Sequence, residues 1–444
     1  MNKFPNAFVI ILYAIVFSWF LTFIIPKGNY LREVNPENNR TIVVPNSYEH
    51  KEVPNLSAFE ALLAIPRGIA GRADLIVLIL LLGGCFYVIE KTGALNQALN
   101  QLITILNGKE VLALIIITLL FYTAGFTIAM QEEIIAMTPI LLLFGRTLGY
   151  NTSTIIYASF GSAVVGAAFS PFNPFGVLIA QKEAEVELLS GTNYRLIFLV
   201  IAALAWTLYI VRYASKNRVQ KSTMELQVDT LTVRNSIILI LLVLTFSVVT
   251  YGLIVLGWGF NEMSACFFGL GLTSGLIANF GFNKTTETYV DGFKEMIFAC
   301  IIIGLANGIS IIMSEGLIID TIVNGLFSPL KNVSISVSAV LMMFAHSILH
   351  LPIPSYSGQA ILTMPILTPL SDLIGLSRQV SVLAYQYGTI MMDVIIPTNG
   401  ALMAILALGG IKYNNWLSFI IKPAIIILII AAIAILLAIQ IGYE

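Results

Sequence analysis

Gln131-Glu132-Glu133 and Ser355-Tyr356-Ser357-Gly358-Gln359 are polar clusters set inside long apolar runs. Ser170-Pro171-Phe172-Asn173-Pro174 and Ile396-Pro397-Thr398-Asn399-Gly400 interrupt two further runs. A proline inside a helix removes a hydrogen bond and frees carbonyls. Freed backbone groups at membrane depth are tolerated only where they line a cavity or are buried in protein. The half-helix resuming after such a break offers N–H groups to an anion, and the unwound carbonyls offer oxygen to Na⁺ or a proton carrier. Asn at the break adds both a donor and an acceptor. Gln131, Glu132, Glu133, Asn173, Ser355, Ser357, Gly358, Gln359, Thr398 and Asn399 are therefore the candidate substrate ligands. Ser170, Asp393 and Gly400 are the candidate ligands of a coupling ion.

Glu132, Glu133 and Asp393 are the acids deep in these segments. A carboxylate at mid-bilayer costs about 3 kcal/mol on insertion scales, so its presence there points to function. Buried, Glu132 and Glu133 suit an ammonium or guanidinium of a substrate, or a coupling proton. The alternative is an external loop joining two ordinary spans, because 111–130 alone is long enough to cross. Asp393 reads either as a proton or ion carrier or as an interior residue paired with a polar neighbour. No Arg or Lys lies in 111–145, 332–371 or 379–411. That disfavours a dianion, which calls for bidentate capture, although backbone amides can substitute. His346 and His350 stand four apart on one helix face, a spacing that could hold a metal. The sequence lacks the intervening Glu of a zinc protease, so both read as interior or pore-lining histidines. Cys85, Cys266 and Cys300 sit in apolar runs without metal or disulfide spacing. No resident metal or cofactor is expected, only Na⁺ or H⁺ as coupling ion.

The elements that must position these residues are membrane helices. Of 444 residues, 58% are apolar and 11% charged, with a mean hydropathy of +0.90. That excludes a soluble enzyme and a disordered chain. With 23 basic against 24 acidic residues there is no positive excess for nucleic acid. Full crossings are expected at 7–25, 74–90, 153–181, 195–211, 235–257, 262–281, 295–314, 378–408 and 417–441, with hairpins at 111–148 and 333–371. Amphipathic stretches at 94–107 and 317–330 read as interfacial helices leading into the hairpins. Loop 212–234 is basic, with Lys221 and Arg234 among others against Glu225 and Asp229, and loop 182–194 is acidic. The positive-inside rule then puts the N-terminus in the cytoplasm and the C-terminus, with segment 26–73, outside.

Sliding the chain by 226 residues lays Pro139-Ile140-Leu141 on Pro365-Ile366-Leu367, Gly149 on Gly375, Pro171 on Pro397 and Asn173 on Asn399. Pro and Gly each fix a backbone event, so their coincidence outweighs that of apolar residues. Five crossings separate the hairpins. An odd number turns the second copy upside down, which is the pattern of alternating-access carriers. The expected fold is an all-α polytopic membrane protein of two inverted repeats, 1–232 and 233–444. Each repeat carries a re-entrant hairpin and a broken helix, at 153–181 and 378–408.

Gln131-Glu132-Glu133, Ser170 to Phe175, Ala180-Gln181, Arg378-Gln379-Val380 and especially Ser357-Gly358-Gln359-Ala360-Ile361-Leu362-Thr363-Met364-Pro365 resemble the YfcC-like branch of the DcuC (C4-dicarboxylate carrier) family. The resemblance covers nearly the whole chain. It implies an ion-transporter-superfamily fold with scaffold and mobile transport domains, elevator movement and a homodimer. Members are described as dicarboxylate, short-chain acid or basic amino-acid carriers. The expectation is an inner-membrane secondary transporter, not an enzyme, whose partners are a small carboxylate-bearing molecule and the lipid bilayer. An amino acid, including arginine/ornithine-type exchange, is favoured over a C4-dicarboxylate coupled to Na⁺ or H⁺. An ion channel or structural membrane protein is the alternative of another class, and a metalloenzyme on His346 and His350 would require bound zinc.

Overall fold

The computed structural model describes residues 7–35, 40–44, 47–95, 97–98, 101, 108–220 and 231–443. Seven helices among them are long and apolar enough to cross a membrane: Ala73–Lys91, Glu110–Ile128, Thr152–Phe169, Thr192–Lys216, Val233–Gly252, Gly281–Glu315 and Tyr413–Gln440. Helix Ala7–Ile24 is equally apolar. Phe260–Ile277 stands where 262–281 was expected but is diluted by Glu262, Ser264, Thr273 and Ser274. The chain is a multi-pass membrane protein.

The 35-residue helix Gly281–Glu315 is the pillar of one helix set. Ala73–Lys91, Ala58–Ala70, Ala7–Ile24 and Phe260–Ile277 all pack on it. The contacts are close because the residues are small. A Cβ on Gly68 would lie 2.5 Å from the Gly304 carbonyl, and one on Gly292 would lie 2.7 Å from the Gly84 Cα.

One expectation needs correction in 26–73. The all-α reading misses two small antiparallel sheets, Gly28–Asn29 with Glu49–His50 and Arg32–Asn35 with Arg40–Val43. The same segment holds helix Ala58–Ala70, which was not foreseen. Ser57 and Glu60 form a capping box at its start, each satisfying the other's backbone N–H. Buried Ala61, Ala64 and Gly68 face the pillar. The strands are tied to helix Ile319–Phe327: Asp320 accepts from the Tyr30 N–H at 2.9 Å and pairs with Arg32 at 2.8 Å. That helix occupies most of the expected interfacial stretch 317–330. Much of its counterpart 94–107 lies outside the described residues, as do Lys221, Glu225 and Asp229.

The second set holds the hairpins and broken spans. Glu110–Ile128 turns through a left-handed Ala129 (φ 54°) into Glu133–Thr147, and Ile335–Leu349 turns into Tyr356–Ile374. Each first arm packs on the near half of the broken span that follows it. A Cβ on Gly125 would lie 1.9 Å from the Ala163 carbonyl, and one on Gly388 would lie 2.1 Å from that of Met343. Matching residues do matching work along the 226-residue shift. Gly149 and Gly375 both turn the chain with left-handed φ of 76° and 73°. Asn151 and Ser377 then cap the next helices by accepting from Thr154 N and Val380 N. The breaks follow at 170–176, between Ser162–Phe169 and Val177–Glu183, and at 395–399, before Gly400–Leu408.

Candidate functional site

The two hairpin tips meet each other and the second break inside the protein. Gln131 sits where the first hairpin turns and is 4% exposed. Its amide nitrogen donates to the Tyr356 hydroxyl, from the second hairpin, and to Asp393 Oδ2 at 3.0 Å. Tyr356 donates to the same Asp393 oxygen. Asp393 lies in the short 3₁₀ turn Met391–Val394 just before the break, and its Oδ1 is 2.9 Å from His350 Nε2. Glu133 starts helix Glu133–Thr147 and accepts from the Gln131 backbone N–H at 3.2 Å, where the helix dipole favours an anion. A cavity of about 270 Å³ opens beside this cluster. Arg72, Gln131, Glu132, Glu133, Ser355, Tyr356, Ser357, Asp393 and Asn399 line it, with Phe175, Phe260 and Met263 supplying apolar walls. An adjoining cavity of about 70 Å³ shares Arg72, Glu132 and Asn399 and adds Thr398 and Gly400. Three carboxylates thus face one guanidinium.

The family of C4-dicarboxylate anaerobic carriers, DcuC, matches residues 4–440. The chain belongs to the DcuC family. A protein of Escherichia coli described as a putative basic amino acid antiporter, YfcC, is 29% identical over 93% of this chain and 92% of its own length. An uncharacterised Haemophilus influenzae protein is 27% identical, covering 99% and 97%. Two solved structures are more remote. The YdaH transporter of Alcanivorax borkumensis, described as having an unusual topology, is 14% identical with a TM-score of 0.48, covering 99% of each chain. Neisseria gonorrhoeae MtrF, described among antimetabolite efflux pumps, is 16% identical with a TM-score of 0.44, covering 98% of this chain and 95% of its own. As a DcuC-family protein with this many apolar helices the chain is a membrane transporter of small molecules, and nothing in the family points to catalysis.

This DcuC-family protein brings Gln131, Glu132, Glu133, Ser355, Ser357, Asp393 and Asn399 to one cavity and Thr398 and Gly400 to its neighbour. The buried Glu133 and Gln131 set aside the external-loop reading of the first tip. Four expected ligands stand elsewhere or are already engaged. Asn173 is fully buried, lines neither cavity, and accepts from Phe175 N and Gly176 N at 3.0 Å. Ser170 donates to the Phe126 carbonyl and accepts from Phe172 N and Asn173 N, so its hydroxyl closes the first break. The Gly358 N–H goes to Ser355 Oγ at 3.2 Å. Gln359 points back into its own hairpin, between His350 Nδ1 at 2.9 Å and the His346 carbonyl at 3.0 Å.

Three residues were missed. Arg72 supplies the cation that the hairpins and broken spans lack. It reaches the cavity because helix Ala58–Ala70 delivers the chain there, and Ser57-Ala58-Phe59-Glu60 was the signal for that helix. Tyr356 bridges the two tips. His350, read as an interior or pore-lining histidine, is fully buried, and its bond to Asp393 was not foreseen. Among the described residues no group of three His, Cys, Asp or Glu could hold a metal ion.

Proposed function

We propose that the protein is a secondary active transporter of amino acids, with cationic ones preferred. The observation carrying this reading is the charge of the cavity between the hairpin tips, where Glu132, Glu133 and Asp393 share the lining with one cation, Arg72. A C4-dicarboxylate would add two negative charges to that excess. A basic amino acid instead gives its carboxylate to Arg72 and its ammonium to Glu132, and its side-chain cation to the remaining acids. Ser355, Ser357 and the half-helix start at Asn399 complete the carboxylate's hydrogen bonds. The description of the Escherichia coli relative as a putative basic amino acid antiporter agrees with this preference.

Transport proceeds by alternating access of elevator type. Repeats 1–232 and 233–444 are inverted, because five helical crossings separate the hairpins. The set around Gly281–Glu315 serves as scaffold, and the hairpins and broken spans move with the substrate. The protein resides in the cytoplasmic membrane with its N-terminus inside and C-terminus outside. It forms a homodimer, for which the exposed apolar face of Val233–Val255 (Ile240, Val243, Leu244, Val248) leaves room.

The test is counterflow in proteoliposomes preloaded with unlabelled arginine or ornithine. Labelled arginine should enter transiently above its external concentration, which no channel allows. Uptake of succinate or fumarate with no movement of any amino acid would reject the substrate class.

A further inference from the structure

We propose that His350 and Asp393 together hold one exchangeable proton, and that a cationic substrate arriving in the cavity displaces it. The proton site stands on the hydrogen-bond chain alone, and the displacement rests on the function proposed above.

The chain fixes its own protons. The Gln359 side chain faces the His346 carbonyl at 3.0 Å, and a carbonyl only accepts, so the amide nitrogen is on that side. Gln359 Oε1 therefore faces His350 Nδ1, at 2.9 Å, and Nδ1 must carry a hydrogen. His350 Nε2 lies 2.9 Å from Asp393 Oδ1, and that contact needs a proton as well. It is either an imidazolium against a carboxylate or a neutral imidazole accepting from a carboxyl. Both descriptions hold one proton more than neutral histidine plus carboxylate. Without it a nitrogen lone pair meets an anionic oxygen, and the contact opens. The proton leaves as hydronium through Asp393, which edges the cavity, while His350 is fully buried.

Na⁺ does not suit this carboxylate. A hard cation needs several converging oxygen acceptors. Asp393 Oδ2 instead accepts from Tyr356 and Gln131, and Oδ1 shares a single proton with His350.

The surrounding groups set the direction of coupling. Tyr356 lies parallel to the His350 ring, with centroids 5.8 Å apart, and Tyr385 donates to the Tyr356 carbonyl. His346 sits behind Gln359. Glu132 and Glu133 line the same cavity as Asp393, where negative charge on them favours keeping the proton, and Arg72 opposes them. An ammonium docked on Glu132 cancels that hold and favours release. Proton and substrate therefore exchange.

Two measurements test this. The chain contains 3 histidines, so ¹⁵N-histidine spectra of the purified wild-type protein resolve each, with His350→Gln providing the assignment. Without substrate at neutral pH, the His350 signals should report hydrogen at Nδ1 and a proton shared at Nε2, and arginine should remove the latter. An Nε2 that carries no shared proton overturns the site, and one that arginine leaves in place overturns the displacement. In proteoliposomes an acid lumen should accumulate labelled arginine, about tenfold per pH unit for one-for-one exchange, and a Na⁺ gradient should not. Accumulation driven by Na⁺ or by an alkaline lumen overturns the exchange. If no amino acid moves at all, the proposed function fails, and the substrate-free spectrum still decides the proton site.

Discussion

Replacing Arg72 with Gln should separate the two halves of the proposed substrate. Arg72 is the single cation lining either cavity and makes no side-chain hydrogen bond within the described residues, so its loss leaves no buried partner stranded. A charge-assisted hydrogen bond contributes about 1.5–3 kcal/mol. Arg72 is only half-buried, so the lower part of that range applies, equivalent to about 10–30-fold in affinity. Arginine should lose that factor as an inhibitor of counterflow by the Arg72→Gln protein. Agmatine, which is arginine without its carboxylate, should lose nothing and should gain slightly as a cationic repulsion disappears. The thermal midpoint should barely move. The reasoning fails if arginine inhibition changes by less than about threefold, or if agmatine weakens as much as arginine. The second outcome would mean that Arg72 shapes the cavity without meeting the carboxylate.

Arg195 is fully buried and donates to Gln386, Gln379, Tyr443 and the Ser190 carbonyl. Arg195→Met strands these acceptors and should cost about 3 kcal/mol or more, read as a lower melting midpoint in detergent. Gly125→Ala and Gly388→Ala each force a methyl into a backbone carbonyl, and overpacking of this kind costs about 1–3 kcal/mol. Either substitution should lower the midpoint, whereas Gly410→Ala, where nothing lies within 4 Å but φ is 65°, should cost only its backbone strain. On the protein surface Arg378 grips Asp372 through two hydrogen bonds and reaches Glu185 at 2.9 Å. The Arg378 hydrogen bonds hold the Asp372 carboxyl below its ordinary range. A depressed carboxyl stabilises the fold above its unfolded-state range and loses that contribution as pH falls through the depressed value. The stability gap between wild type and Arg378→Gln should be about 0.5–1 kcal/mol at neutral pH and should close below about pH 4.

What the sequence revealed and what it hid divide along physical lines. The spans, the hairpin tips and the two breaks were legible because each depends on local chemistry: apolar length, a Pro, a Gly at positive φ, a capping side chain. Gly149 with Gly375, and Asn151 with Ser377, show the same local event recurring at one spacing. Arg72 was hidden because it lies outside every repeated segment, in a stretch whose polar composition masks a 13-residue helix. Its position depends on Gly68 meeting Gly304 and Gly308, more than two hundred residues away. His350 was hidden for another reason. Its spacing from His346 suggests a pair acting together, whereas in the fold Gln359 stands between the two rings and only His350 reaches Asp393. No residue count along one helix could foresee an amide inserted from the next.

The two breaks share Pro-x-Asn and differ in how much of their unwound chain is already satisfied. At the first, Ser170 and Asn173 turn inward onto neighbouring backbone, and Gln386 donates to the Ser170 carbonyl at 2.5 Å. At the second, Trp416 and Tyr413 cover the Val394 and Ile395 carbonyls, and Asn399 Oδ1 caps Leu402 N at 2.7 Å. Thr398 Oγ1, however, is buried without a partner at the edge of the smaller cavity. A buried hydroxyl left unpaired costs about 1–3 kcal/mol, a cost a ligand or water in that cavity can remove. The second break therefore keeps hydrogen-bonding capacity in reserve where the first has used its own. The first tip brings Glu132 and Glu133 to the cavities, whereas the second half of the chain brings both a tip and its break. The shared Pro-x-Asn becomes two unequal sites because Ser170, Asn173 and Gln386 together satisfy the first break.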